Sequence, residues 1–106
     1  MKEIKVTQVK GQNHFVLEND DFIKLQSYQS IVAVCDKKNE SLIFGEDWNY
    51  SRTTLKYLYL FINDVVWLDL NANLREKLTE AFRSSNTKKA LQKLIDNKII
   101  MYDESL

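Results

Sequence analysis

Apolar and polar positions along this chain change rhythm near its middle, from alternation to a repeat of three to four. Residues 4–9, with Ile4, Val6 and Val9 set among Lys5, Thr7 and Gln8, are rich in β-branched side chains and predict a strand. Gly11, Gln12 and Asn13 supply turn chemistry before His14, Phe15, Val16 and Leu17, which predict a second strand. Asn19, Asp20 and Asp21 end it. Residues 22–28 place Ile23, Leu25 and Ser27 opposite Phe22, Lys24, Gln26 and Tyr28, a strand with unequal faces. Residues 31–35 are apolar on both faces, as a central strand requires. After the polar loop at 36–40, Leu42, Ile43 and Phe44 return antiparallel to make a meander.

The second half has the helix period. Leu55, Leu58, Tyr59 and Ile62 mark one face, and Tyr57, Leu60 and Phe61 cover most of the rest. A helix over 55–62 with Lys56 as its only charge is expected to be buried all round. Asn63 and Asp64 are expected to end it, ahead of Val65, Val66, Trp67 and Leu68. A second helix, 72–83, turns Leu74, Leu78, Ala81 and Phe82 inward, and Asn73 with Glu76 resembles a capping box. A third, 87–95, buries Ala90, Leu91, Leu94 and Ile95, with Asn97 suited to a left-handed cap at its end. Residues 99–102 form a short final strand or an extended tail. Strands first and helices after is the α+β pattern: one domain over residues 1–106, a small antiparallel sheet of four or five strands packed by three helices.

Composition adds limits. The 106 residues carry 44% hydrophobic and 28% charged side chains, and fifteen basic residues balance fifteen acidic ones. No net field selects nucleic acid, a membrane surface or a charged substrate, so any partner is chosen by local patches. The single cysteine, Cys35, lies in the central strand and reads as a buried thiol of a reducing compartment. The first residues lack a signal-peptide core and no stretch reaches membrane-spanning length, which predicts a cytoplasmic protein. With no proline and two glycines, turns and helix ends are expected to use Asn and Asp in the left-handed region.

Catalytic chemistry finds little support. His14 is the only histidine, and no Cys or carboxylate stands at metal-ligand spacing from it. Two isolated glycines make no phosphate cradle. The acidic pairs at 20–21, 46–47 and 103–104 fall in turns or tails, where solvated carboxylates are the rule. A non-enzymatic protein without cofactor or metal is expected.

The stretch DWNYSRTTLKYLYLF, residues 47–61, carries the best candidate surface. Ser51 suits an N-cap, with Thr53 and Thr54 in the first turn and Trp48 and Tyr50 just before it. The same stretch also offers Trp48, Tyr50, Arg52 and Lys56 as an aromatic and basic patch, the composition of interface centres. The capping reading is the stronger of the two. In the third helix Lys88, Lys89 and Lys93, flanked by Arg83 and Lys98, form a basic face that a helix-turn-helix could turn to phosphates. Zero net charge, no glycine in the turn and few base-reading side chains weigh against that use.

Tyr28 and Ser30 before the central strand, and Trp48, Tyr50, Ser51, Thr53 and Thr54 before the first helix, resemble two motifs of a family of small phage and mobile-element proteins of Gram-positive bacteria. Residues 94–99 resemble that family's closing step from helix to strand, and the resemblance covers about residues 27–102. Where the family often has a histidine, this chain has Tyr57. The resemblance implies no catalytic residue or cofactor. It implies an accessory protein that adjusts host or phage machinery, as small inhibitors of bacterial defence, anti-CRISPR proteins among them, do. The expected partner is a host protein or ribonucleoprotein, bound by a monomer or homodimer.

Overall fold

A computed structural model describes residues 14–106 and, as backbone, the strand β1 at Lys5–Gln8. The expected turn at Gly11, Gln12 and Asn13, and the strand ends at Ile4 and Val9, lie outside the described residues. Strands β2 (His14–Glu18), β3 (Phe22–Ser27), β4 (Ser30–Asp36) and β5 (Ser41–Phe44) follow, then helices α1 (Arg52–Leu60), α2 (Ala72–Arg83) and α3 (Thr87–Asp96), and last β6 (Met101–Tyr102). The α+β order is as the periodicities predict. The sheet has six strands in chain order, five in an antiparallel meander and β6 parallel to β5. The expected four or five therefore becomes six, because the short final stretch does join the sheet.

Alternation places Val16, Ile23, Leu25, Ala33, Cys35, Leu42 and Phe44 on one face. They share a single core with Leu58, Phe61, Ile62, Leu74, Leu78, Leu91 and Ile100. Cys35 is fully buried, and its thiol is pushed up to about 12, first by burial and then by the Asp69 and Asp36 carboxylates. At the bend of the β3–β4 hairpin the register shifts between Leu25 and Gln26, so that Val32 has no partner across β3. Such a bulge re-aims a side chain, and Val32 is fully buried. Its carbonyl accepts from Gly45 N–H at 2.8 Å, and the Gly45 Cα lies so close to the Ile31 carbonyl that any Cβ would collide with it. Glycine is needed there for close approach.

Three helix boundaries differ from expectation. Asn63 and Asp64 do not stop the first helix, which continues as a wider π-helical turn over Phe61–Val66 and a tighter 3₁₀ turn at Trp67–Asp69. The extra turn brings Phe61, Ile62 and Val66 into the core, and Asn63 Nδ2 donates back to the Tyr59 carbonyl at 2.9 Å. The expected all-round burial of the first helix is not found: the continuation leaves Asp64 and Val65 exposed, so the element is buried on one side only. In α1 itself only Thr54 and Leu58 are buried, and Arg52, Thr53, Lys56 and Tyr59 are exposed. The cap of α2 is Asn71, not Asn73: its Oδ1 accepts from Leu74 N–H at 2.8 Å while Nδ2 donates to the Glu40 carbonyl.

Left-handed backbone among the described residues occurs at Tyr28, Glu40 and Lys98, not at an asparagine or aspartate. Asn97 is accordingly not the left-handed cap of α3. Lys98 is, with Lys98 N–H donating to Ile95 O and Ile99 N–H to Leu94 O, a Schellman arrangement. The asparagines act through side-chain hydrogen bonds instead: Asn71 and Asn86 cap α2 and α3, and Asn19 Oδ1 accepts from the amides of Asp21 and Phe22. No helix among the described residues is long and apolar enough to cross a membrane.

Candidate functional site

The start of α1 answers to the capping reading. Ser51 is extended, and its Oγ accepts from Thr54 N–H at 3.1 Å and lies 3.1 Å from Thr54 Oγ1. Trp48 is 2% exposed, with its ring 5.4 Å from that of Phe44. The expected aromatic patch is corrected accordingly: Trp48 belongs to the core, packed there by the 3₁₀ turn Glu46–Asn49 that follows Gly45. Tyr50, 78% exposed, remains at the surface, with Arg52 and Lys56 exposed one helical turn apart.

Tyr50 meets the β3–β4 hairpin. Tyr28, in its turn, has φ 55° and is 65% exposed. An L-residue with a large side chain is rare in that region and is held there at a cost. Between the two tyrosines lies a cleft of about 440 Å³, with Ser27, Ser30, Val32 and Thr54 along its walls and Asp47 at its edge. Tyr28 and Ser30 thus line one opening with Tyr50 and Thr54, which stand far from them in the chain.

Beneath Ser27 sits His14. The β2–β3 register sets the two opposite one another, and Ser27 Oγ is 3.1 Å from His14 Nε2. The imidazole stacks on Tyr57 of α1 at 3.7 Å and meets the edge of Tyr28 at 6.0 Å. Burial lowers its pKa below the ordinary histidine value, and its Nδ1 has no hydrogen-bond partner among the described residues. A serine and a neutral imidazole at this distance share the geometry of a nucleophile and its base. Here, among the described residues, no third group orients the ring, which is clasped by the Tyr57 and Tyr28 side chains. The pair fastens the hairpin to α1 and gives the cleft a polar floor. Cys35 is opposite Ile23, four positions along β3 from Ser27, so no Cys–His couple forms.

The basic residues divide. Lys88 and Lys89 border a shallow cavity of about 250 Å³ with Asn49, Asn86 and Gln92 at the start of α3. Lys93 borders a different one, between α2 and α3, with Lys77 and Glu80. Arg83 ends α2 and Lys98 follows α3, both exposed, and neither lines these cavities. Lys89 and Lys93, four apart on α3, thus border two different cavities.

Reasoning from sequence missed His14, Ser27, Asp47 and Thr54 as members of one site. The available signal was a polar residue at an inward position in each of two paired strands, His14 beside Val16 and Ser27 beyond Ile23 and Leu25. Among the described residues no group of three or more His, Cys, Asp or Glu stands together as a metal site. No curated protein and no solved structure matches this chain. Residues 3–81, which include both tyrosines and every residue of the cleft, match the family of unknown function DUF8033, and the chain belongs to that family.

Proposed function

We propose that this protein is a non-enzymatic binding module whose contact surface is the cleft between Tyr28 and Tyr50, extended by Arg52 and Lys56. One observation carries the reading: the two tyrosines are heavily exposed yet converge on one cavity. Heavily exposed aromatics placed beside an arginine have the composition of binding hot spots. In the mobile-element setting that the family resemblance implies, the partner is a host protein or ribonucleoprotein whose surface the module occupies, as defence inhibitors of the anti-CRISPR kind do.

The test is co-purification of the tagged chain from host extract with and without nuclease. Tyr50→Ala with Arg52→Glu should remove the captured protein, since loss of such an anchor commonly costs about 2 kcal/mol or more. Capture that survives nuclease and fails in this double variant supports the reading. A second reading, weak nucleic-acid binding, has the Lys88–Lys89 cavity in its favour. Replacing Lys88, Lys89 and Lys93 by Glu should then abolish duplex DNA binding and flatten its salt dependence. If that triple change alone ends activity, the protein-binding reading is wrong.

A further inference from the structure

The cleft has a charge character that its rim does not. Arg52 and Lys56 lie outside it, and among the described residues the only charged side chain lining it is Asp47. That residue is half-buried, and its carboxylate has no ion pair or hydrogen bond among the described residues. Ser27, Ser30 and Thr54 add hydroxyl oxygens that can accept, and the exposed Tyr28 and Tyr50 add aromatic rings to the lining. A carboxylate without an ion pair in a cleft that two tyrosines line repels phosphate and carboxylate and favours a cation.

We propose that the cleft takes the cationic end of an arginine side chain presented by a partner protein. The inference rests on the reading of this cleft as the contact surface. Arginine suits it better than lysine. A planar guanidinium stacks on tyrosine, bonds a carboxylate through two parallel N–H groups, and sheds water more readily than an ammonium. The volume of about 440 Å³ has room for one long side chain. The buried His14–Ser27 pair holds the floor in place behind it.

Titration of the isotope-labelled full chain by NMR tests this. The probes are a blocked pentapeptide, Gly-Gly-Arg-Gly-Gly, and its versions with lysine, glutamine or glutamate at the centre. The arginine peptide should shift the amides of Ser30, Asp47, Tyr50 and Thr54 saturably, the lysine peptide more weakly, and the other two not at all. Asp47→Asn, close to isosteric and checked by thermal melt, should weaken arginine-peptide binding at least tenfold. Glutamine binding as well as arginine, or an unaltered Asp47→Asn affinity, overturns the cation assignment. If a host protein is still captured through Tyr50 in that case, the binding-module reading stands without it. If the peptide binds as expected and capture does not depend on Tyr50, the reading of the cleft as the partner's contact surface fails instead.

Discussion

His14 makes stability depend on pH in one direction. Its imidazole is held below the ordinary value by burial, so the unfolded chain takes up a proton first as pH falls. The stability present above about pH 6.5 is lost progressively below it, down to the folded pKa. Urea melts between pH 7.5 and 5 should show this slope, and His14→Gln should flatten it. Tyr28 offers a complementary separation of stability from binding. Its left-handed backbone costs an L-residue roughly 1–2 kcal/mol, which asparagine carries more easily. Tyr28→Asn is therefore expected to melt no lower than the parent while losing partner capture. A large drop in melting temperature would mean that the ring's edge contact with His14 outweighs the backbone relief.

At the level of elements, the cap of α1 is the most direct check. Ser51→Ala removes the bond to Thr54 N–H and should cost about 0.5–2 kcal/mol, and Ser51→Asp should restore most of it. Equal melts for parent and Ser51→Ala would refute the capping role. Periods of two and of three to four were enough to place β2 to β5, α2 and α3, because burial on one face imposes them. The first helix was harder to read. Asn63 and Asp64 look like a stop, yet burying Phe61, Ile62 and Val66 outweighs their weak helix propensity, and the turn widens to keep all three inside. Capping at Asn71 was hidden for a similar reason. Its second partner, the Glu40 carbonyl, comes from a distant loop that no local pattern reveals. Of the candidate site, Tyr50, Arg52 and Lys56 could be found from the sequence. The cleft could not, since it exists only where the β3–β4 hairpin meets the approach to α1, and Trp48 changes from contact to core in the same step.

For the molecule as a whole, the separation of strands from helices along the chain has a kinetic consequence. The meander β1–β5 is built from neighbouring hairpins and can form early, whereas Ile43 pairs with Met101 only after the whole helical half has been laid down. Until then the inner face of the sheet is bare and β5 is an open edge, the condition that invites pairing with another chain. The two halves are joined through Gly45 and the turn that follows, so a helical half can in principle cover the sheet of a second molecule with the same contacts it makes at home. Refolding at high concentration should therefore yield an exchanged dimer, visible by size-exclusion chromatography, that is absent when the native protein is concentrated to the same level without unfolding. A chain that refolds to monomer alone at every concentration would show that the halves find each other faster than they find a neighbour. The order in which this protein spells its elements thus sets how crowded it can be while it folds.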